Sequence, residues 1–566
     1  MRFFGIKAGT LCIYLWLIFL GVTILVSARN TYRRSLNTEE FAYSCDQFGY
    51  LRMAKEIRTA AKQGTAPEFR LDSPQTRLLI NFMKEQNVPL RDWEEVVAPH
   101  AHHFFPKSDY VGVQYPPGTG LTLAIFPEGK AVYRLNKTVI AFFVLVGIGS
   151  LVLAGWRQSW ASASLITLAI HLGLSVLSRM GAVSFSINAV LIPLLLSCLL
   201  AILALVLLLK DKRRKALIVA FCAGVVLGFG TLIRLPVVFL APGFLILLWP
   251  RTWRPRLVSL PVVFAIGVLL AGVVPVLINQ HTVAGAWYLS TYASVDAALP
   301  TLEGLRHNFS YFFGDGPAAG DNWALTDTVA GFTGFVLLLV LGLRKFTNPW
   351  PFHWTRVGLA GLVTWILSTA FFLTHQIVGA HYAIPGIFVT VALIAFGAFA
   401  IEFFLKSSPL NFQVRNPFLW IALVLVLWPG IHSLNRAWIE RTEMQAPRGA
   451  ITHTPIVLPA ELADARAWIW ADLLTGSLWY YANKPAYKIQ FTNRETRAKI
   501  FRFVYDRGEP QYLIQDSGQM QTYIDEIEAL GGHVEMKGRI DGPNPYFLIH
   551  WANGGPAPPA VAGTAK

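Results

Sequence analysis

The chain has 566 residues, of which 54% are hydrophobic and only 14% are charged, and its mean hydropathy is +0.46. A soluble chain carries roughly a quarter charged residues, so this composition indicates a membrane protein. The formal net charge of +15 would also suit nucleic-acid binding, but the basic residues cluster beside apolar runs and no nucleic-acid-binding motif is present. We therefore assign the basic excess to membrane topology and contact with anionic lipid, and expect no nucleic-acid partner.

The apolar segments predict about eleven spanning helices, because each has about 17–25 residues, as a hydrocarbon core near 30 Å requires. The first runs from about Ile6 to Val26 and is not followed by a convincing cleavage site, so we expect it to be retained. The segment from Pro236 to Trp249 is shorter than the rest. The later segments begin near Val139, Ser162, Ile187, Ala216, Pro236, Val258, Val329, Val357, Tyr382 and Phe418.

The charges of the connecting loops predict the orientation. With the N-terminus inside, the cytoplasmic loops carry most of the basic residues, including Arg157, the run 210–215 and Arg251. The short outer loops have little beyond Arg179 and Arg234. This asymmetry follows the positive-inside rule and predicts a multi-pass inner-membrane protein with a cytoplasmic N-terminus. The long segments 27–137 and 279–328 and the region after Leu434 would then lie on the periplasmic side.

The predicted fold class is an α-helical polytopic membrane protein with a large first outer loop and a small C-terminal α/β soluble domain. We expect a transmembrane module over 1–435, which includes the first outer loop at 28–137 with interfacial helices. A periplasmic α/β domain would follow over 436–552, and the tail 553–566 should be disordered. Within the C-terminal domain the pattern predicts helices at 459–468, 492–506 and 520–530, strand structure at 476–489 and 511–515, and a hairpin joining 533–540 to 546–551.

Asp46 lies in the first outer loop, within the sequence Tyr-Ser-Cys-Asp-Gln-Phe-Gly-Tyr at 43–50, about twenty residues beyond the first span. A carboxylate just above the membrane and flanked by aromatic residues can serve as a general base or bind a cation. Asp46 also stands at the beginning of a helical pattern over 46–62, so it could simply be an N-cap.

A second motif in the same loop is Gln-Tyr-Pro-Pro-Gly-Thr-Gly at 114–120, followed by an apolar stretch. Consecutive prolines fix φ and the glycines release it, which suits a chain that lies along the membrane interface and re-enters a cavity. The alternative is an ordinary loop before an interfacial helix.

His100, His102, His103 and Asp109 form the metal-like cluster of the sequence. Adjacent histidines in a strand or loop rarely point the same way, so we favour interfacial or substrate-contacting histidines and expect no metal site. A further group of ionisable residues lies near the predicted outer ends of spans, where it could line a polar cavity or merely snorkel to the headgroups. These are Arg179, Arg234, His281, Asp296, Arg306, His307, His375 and His381.

Together these parts resemble the GT-C glycosyltransferases, in particular the bacterial branch similar to protein O-mannosyltransferases and aminoarabinose transferases. The resemblance rests on an N-in first helix, an outer loop that opens with Asp46-Gln-Phe-Gly-Tyr50, and the motif at 114–120. Thr-Leu-Ile-Arg-Leu-Pro at 231–236 is similar to the family's basic helix entry, and Ala-His-Tyr-Ala-Ile-Pro at 380–385 to its Arg-Tyr-x-x-Pro segment. The similarity spans essentially the whole chain, although topology carries more of it than any motif.

The resemblance implies transfer of a sugar from a polyprenyl-phosphate carrier to an envelope glycan, lipid or protein on the outer face of the lipid bilayer. Asp46 would be the base or the carboxylate that orients the acceptor, with Asp109 the next candidate. Arg234, and also His381 or Arg306, would hold the phosphate, while Tyr115 and the Pro-Pro turn would shape the sugar pocket. Tyr50, Gln114, His375 and Tyr382 belong to motifs that would contact substrate.

The sequence also departs from the family pattern. Gln47 stands where a second acid is frequent, Tyr115 where Lys is frequent, and His381 where Arg is usual. No cofactor is assigned, and the need for a divalent cation stays open. Two other function classes also remain: a transporter or flippase, for which internal repeats would be expected but none is evident, and a non-catalytic envelope-assembly scaffold.

Overall fold

The structure is a computed structural model, and it describes residues 2–3, 6–35, 47–71, 73–157, 160–180, 185–249, 259–291, 301–306, 354–373, 384–404, 456–490, 492–540, 544–552 and 554–556. Contacts divide the chain into two compact units. The helical unit comprises Met1–Leu36, Val132–Leu277 and Ser294–Gln445, and the mixed unit comprises Asn37–Ala131, Ile278–Ala293 and Ala446–Lys566. The first outer loop therefore groups with the C-terminal region, whereas the sequence assigned it to the transmembrane module.

The described helices, numbered along the chain, are α1 Ala8–Ser35, α2 Gln47–Gln63, α3 Pro74–Glu85, α4 Gly118–Ala124, α5 Ala131–Arg157, α6 Trp160–Met180, α7 Phe185–Leu209, α8 Arg213–Ile233, α9 Ala241–Leu248, α10 Ser259–Val268, α11 Val274–Ala284, α12 Trp354–Leu373, α13 Ile384–Phe404, α14 Ala460–Ala463, α15 Thr475–Ala482, α16 Arg494–Asp506 and α17 Met520–Ala529. Short 3-10 helices occupy Leu90–Asp92 and Leu235–Leu240, and a π-helical turn, Leu269–Val273, joins α10 to α11.

The described strands are β1 Arg2–Phe3, β2 Ile6–Lys7, β3 Arg70–Leu71, β4 His102–Phe105, β5 Tyr110–Val113, β6 Trp468–Trp470, β7 Gln511–Ile514, β8 Gly532–Ile540 and β9 Asn544–Trp551. They form a β1–β2 hairpin, a three-stranded sheet in the order β3-β5-β4 and a four-stranded sheet in the order β6-β7-β9-β8. All described pairs of named strands are antiparallel except β6 and β7, which run parallel.

The helical unit consists of apolar helices packed side by side. Within it α7 packs against α8, α8 against α10, and α12 against α13. Among the described residues, five helices are long and apolar enough to cross a membrane, namely Thr10–Arg33, Ala131–Trp156, Phe185–Leu209, Arg213–Ile233 and Ser259–Ala284. Shorter apolar helices cover Ser162–Ser178, Leu235–Leu248, Arg356–Ser368 and Pro385–Ala400. The chain is thus a helical membrane protein with these candidate spans, and the count of eleven stays a prediction, since the segments near Val329 and Phe418 lie outside the described residues.

In the mixed unit, the first outer loop and the C-terminal region both contribute to a shared hydrophobic core. Phe82 of α3 stacks on Phe503 of α16, with ring centroids 4.3 Å apart. Trp468 and Trp470 of β6 are fully buried in the same core. Burying aromatic rings from both segments removes large apolar areas from water, so the two segments stabilise each other. The residues of this core include Leu79, Met83, Val96, Phe104, Trp468, Trp470, Phe501 and Leu513.

Two predicted C-terminal elements were wrong. The predicted helix 459–468 is only the single turn α14, and Trp468 already begins strand β6, where its ring is buried. The first half of the predicted strand region 476–489 is helix α15, which ends at Asn483 in the left-handed conformation with φ 49°. Its aromatic residues favour strands, but strand propensity depends strongly on packing context and is overridden here. The predicted helices at 492–506 and 520–530, the strand at 511–515 and the hairpin are confirmed within one to two residues.

Candidate functional site

The candidate site comprises the two motifs of the first outer loop. The structure describes both motifs from Gln47 onward but not the proposed base. Asp46 lies outside the described residues, which resume at Gln47, the first residue of α2. His375, His381 and Tyr382 lie outside them as well. The helix predicted at 46–62 is confirmed as α2, Gln47–Gln63.

The structure brings the two motifs into direct contact. Tyr50, in the first turns of α2, stacks on Tyr115 with ring centroids 4.4 Å apart and planes inclined by 27°. Both rings are buried, with 7% and 5% of their surface exposed. Offset stacking of this kind adds about 0.5–1.5 kcal/mol beyond the burial of the rings. Residues that are 65 positions apart in the sequence thus share one aromatic surface.

Two glycines allow close packing on α2, Gly120 where α4 contacts this helix and Gly49 where Ala101 contacts it. A Cβ added at Gly120, in α4, would lie 2.6 Å from Cβ of Met53, and one added at Gly49 would lie 2.4 Å from Cβ of Ala101. Real Cβ atoms essentially never approach to such distances, so any side chain here would push the elements apart. Arg58 of α2 completes the junction, because its Nη1 donates to the carbonyl oxygens of Leu123 (3.3 Å) and Phe126 (3.1 Å) at the end of α4.

Ala101 lies in the turn between the two motifs. It adopts the left-handed conformation, with φ 71°, which an alanine rarely takes. Its carbonyl oxygen accepts the backbone N–H of Gln114 at 3.1 Å, while its Cβ faces Gly49. The turn 100–102 therefore contacts both the first motif, through Gly49, and the second, through Gln114.

The histidines do not form a metal-like cluster. His103 Nδ1 lies 3.1 Å from Oε1 of Glu95, whereas Nδ1 of His102 contacts the carbonyl oxygen of His100 at 2.9 Å. His102 and His103 are neighbours in β4, where successive side chains point to opposite faces. Burial lowers the pKa of His102 to about 3, so this ring is neutral. Across the described ranges, no group of three or more His, Cys, Asp or Glu residues is arranged to hold a metal ion.

Asp109 forms ion pairs, so its carboxylate is already occupied and is a poor candidate for a general base. Its carboxylate lies 2.5 Å from Nζ of Lys84, and its backbone carbonyl oxygen accepts from Arg77. It occupies the turn between β4 and β5 in the left-handed conformation, with φ 55° and half of its side chain exposed. A carboxylate in such a pair stabilises the turn, and this favours a structural role.

A buried ion pair joins the first outer loop to the C-terminal region. Nζ of Lys488 lies 2.8 Å from Oε2 of Glu95, and their side chains are only 4% and 13% exposed. Burial alone would raise the pKa of Glu95, but the charge of Lys488 and the hydrogen bond from His103 outweigh it and hold that pKa at about 2. This pair was not anticipated, because nothing in the sequence signals that residues almost four hundred positions apart meet.

Two aspartates of the C-terminal region, one buried and one partly buried, lie at the carboxyl ends of the parallel strands β6 and β7. Asp516 follows β7 by two residues, and its carboxylate accepts the backbone N–H groups of Asp472 (3.1 Å to each oxygen) and Leu474 (2.7 Å). Burial raises the pKa of Asp516 to about 7, with the neighbouring charge of Asp472 adding to the rise. Asp472 follows β6 by two residues and is 4% exposed. The matching spacing after two parallel strands was a usable signal, but it was missed because no strand was predicted at β6 and its first residue, Trp468, was assigned to a helix.

In the helical unit, Arg234 ends helix α8. It has an extended backbone (φ −142°, ψ 114°), and Pro236 then opens the 3-10 helix Leu235–Leu240. Its Nη1 donates to Oγ of Ser186 at 2.9 Å, and the side chain is partly buried. A partly buried cation at a helix interruption is a common feature of binding sites in membrane proteins. Arg306, the other candidate cation, lies on the exposed turn 302–306.

Comparisons with known proteins give a structural likeness but no match in sequence. No protein-family profile matches the sequence, and no curated protein matches it. Among solved structures, the chain is similar to the oligosaccharyltransferase of Archaeoglobus fulgidus in complex with zinc and sulfate. The two chains are 13% identical over 89% of this chain and 69% of that chain, with a TM-score of 0.35. A score of this size is too low to support an inference about fold or function.

Proposed function

We propose that the chain is an integral-membrane glycosyltransferase that moves a sugar from a polyprenyl-phosphate donor to an acceptor of the cell envelope on the periplasmic face. The observation that carries the proposal is the stacking of Tyr50 on Tyr115, centroids 4.4 Å apart, which joins the two motifs of the first outer loop. The described part of the chain also has five apolar helices long enough to span a bilayer, which suits a lipid-linked donor.

The joined motifs offer chemistry that suits a sugar. Aromatic rings bury the apolar C–H face of a pyranose, and the adjacent amide of Gln114 can hydrogen-bond its hydroxyls. Asp46 directly precedes α2, the helix that carries Tyr50. A carboxylate at this end of the helix has the chemistry that an acceptor hydroxyl needs, because it can take the proton as that hydroxyl attacks.

The reaction balances without a further reactant. The acceptor oxygen forms a bond to the anomeric carbon, its proton passes to the Asp46 carboxylate, and the bond between the anomeric carbon and the phosphate oxygen breaks. The polyprenyl phosphate leaves with the bonding electron pair. Its developing charge needs a cation, and guanidinium groups bind phosphate well because they donate two parallel hydrogen bonds.

Arg234 is the cation that we assign to the donor phosphate. It is partly buried, stands at the end of an apolar helix and is oriented by Ser186. A guanidinium held in this way needs less ordering when it binds an anion. Arg306, His375, His381 and Tyr382 remain proposed substrate contacts on the strength of the family resemblance. Asp109 is the weakest of the candidates, since it already pairs with Lys84.

The test is a transfer assay on the purified chain in lipid nanodiscs, with a panel of polyprenyl-phosphate sugars and envelope extract as acceptor. Asp46→Asn should fold and bind donor like the parent, because Asn caps a helix as well as Asp does. Transfer should nevertheless fall by about 10²- to 10⁴-fold, since Asn cannot accept the proton. Asp506→Asn, which changes an acid with a side chain 53% exposed, is the matched control and should keep the parental rate.

Two results would count against the proposal. An Asp46→Asn variant that transfers at the parental rate would leave Asp46 as a cap only. If the parent transfers no sugar from the panel, and deletion leaves the envelope glycans unchanged by mass spectrometry, the glycosyltransferase assignment fails. The transporter and scaffold classes would then have to be tested instead.

A further inference from the structure

The C-terminal region reaches the turn 100–102, at which the two motifs meet. The backbone N–H of His100 donates to Oγ1 of Thr475 at 3.1 Å, and Nε2 of His100 lies 3.7 Å from Oδ1 of Asp472. Thr475 in turn donates to the carbonyl oxygen of Asp472 at 3.2 Å. The position of His100, and with it that of Ala101, is therefore set by residues more than 370 positions further along the chain.

A second layer fixes Asp472 itself. The Asp516 carboxylate receives the backbone N–H groups of Asp472 and Leu474, so it holds the loop that leads from β6 into α15. Buried carboxylates are costly unless they are hydrogen-bonded, and both oxygens of Asp516 are. In the described part of the chain Oδ1 of Asp472 accepts no hydrogen bond, and Nε2 of His100 lies 3.7 Å from it. Two acids and one histidine thus share a largely buried site, an arrangement that apolar residues would fill at lower cost.

Helix α15 also contacts α2 directly. Nη1 of Arg52 donates to the carbonyl oxygen of Trp479 at 3.3 Å and lies within 3.4 Å of Oδ1 of Asn483. The Arg52 guanidinium stands over the Trp479 ring, 5.6 Å from its centroid. The beginning of α15 therefore contacts the turn 100–102, and its end contacts the helix that carries Tyr50.

We propose that Asp472, Thr475 and Asp516 form with His100 a buried positioning network, through which the C-terminal region sets the geometry of the two motifs. This inference rests on the proposed function only in so far as the motifs bind sugar; the network itself is a claim about structure. These are positioning residues, because they act through the turn 100–102 and no substrate contact is assigned to them.

The network should respond to pH near neutrality. Burial raises the pKa of Asp516 from 3.8 to about 7. In the folded network Asp516 therefore keeps a proton, which it releases when the network opens locally to water. Stabilisation from this proton is fully present below about pH 3.8 and is lost as the pH rises through about 7. Over pH 6–8 the opening equilibrium should therefore rise by about tenfold through Asp516 alone. Other charged or titratable groups lie around the network: His100, His102, His103, Glu95, Arg52, Asp472, Lys488, Tyr523, Arg497 and Glu526.

His102 works in the opposite direction, since its pKa is lowered by burial to about 3 and its stabilisation is lost as the pH falls below 6.5. The comparison of parent and Asp516→Asn removes this contribution, because both proteins contain His102. Asn can still accept one backbone N–H but does not titrate. Asp525→Asn is the matched control, because it changes an exposed acid of α17 that bonds only to Gln521 among the contacts described.

The experiment is hydrogen exchange, read by mass spectrometry, on the full chain in nanodiscs between pH 6 and 8, with correction for the intrinsic exchange rate. Peptides over 47–62 and 100–120 report the two motifs and the turn between them. The ratio of their protection in the parent to that in Asp516→Asn should fall about tenfold across this range, and the control should follow the parent. Thr475→Val should lower protection of both peptides by about three- to tenfold at every pH, because His100 loses its acceptor, and Thr475→Ser should restore it.

Transfer kinetics form the second arm. If the network positions the motifs, Thr475→Val should lower kcat/KM mainly through kcat, with rescue by Ser, and the Asp516→Asn variant should lose the decline in rate above pH 7. Unchanged exchange at both peptides in Thr475→Val and Asp516→Asn overturns the network, whatever the kinetics show. Changed exchange with no transfer by the parent leaves the network standing and refutes the proposed function instead.

Discussion

Gly49→Ala tests whether the contact between α2 and the turn 100–102 is as close as the structure shows. The added methyl group would lie 2.4 Å from Cβ of Ala101, whereas carbon atoms in contact prefer about 3.5–4.0 Å. The two elements would have to separate by roughly 1 Å, which overpacked sites tolerate at a cost of about 1–3 kcal/mol. Alanine regains up to about 1 kcal/mol through its higher helix propensity. We therefore expect α2 to be destabilised by about 1–2 kcal/mol.

The second half of the test is Ala101→Gly, which removes the opposing methyl group. Ala101 has φ 71°, where a non-glycine residue is strained by about 1–2 kcal/mol, and glycine offsets most of this gain by its greater freedom in the unfolded chain. Alone, the substitution should change stability by less than about 1 kcal/mol. Combined with Gly49→Ala, it should restore most of the lost stability, which gives a coupling energy of about 1–2 kcal/mol.

Hydrogen exchange of the α2 amides in the purified full chain measures these opening free energies. Gly518→Ala is the control, since a Cβ there meets nothing within 4 Å, and it should be neutral within about 0.5 kcal/mol. If Gly49→Ala and Ala101→Gly prove additive, the two residues do not contact each other. The turn 100–102 would then not connect the two motifs.

Three further predictions concern topology, the donor phosphate and the buried ion pair. A reporter fused after Lys566 should be active only in the periplasm and one at Lys212 only in the cytoplasm; cytoplasmic activity of the first would rule out the eleven-span topology. Arg234→Ala should weaken donor binding by about 2–4 kcal/mol with partial recovery by Lys, and an unchanged donor affinity would leave it no phosphate role. Glu95→Gln should destabilise the mixed unit by about 3–5 kcal/mol at neutral pH, because Lys488 would stay buried without its anion. It should also remove the parent's loss of stability as the pH falls from 4.5 toward the Glu95 pKa of about 2; thermal unfolding at several pH values checks both.

The sequence by itself determined the class of this protein and most of its local structure. Apolar runs of spanning length predict membrane helices because a bilayer leaves few other ways to satisfy backbone groups. Five long apolar helices are present within the described ranges. Helices α2, α16 and α17 and the hairpin β8–β9 were also predicted, since amphipathic periodicity and turn residues are local signals. The sequence further pointed to Tyr50 and Tyr115 as members of two motifs.

Only the tertiary structure decided which distant segments meet. Three contacts show this: Tyr50 stacks on Tyr115, Lys488 pairs with Glu95, and Asp472 approaches His100. Each joins parts of the chain 65 to 393 positions apart, and no local sequence pattern encodes such contacts. The same cause explains the wrong secondary structure at 459–489. Isolated propensities favour a strand for the aromatic residues of α15, but burial of α15 and β6 in a core shared with the first outer loop outweighs them.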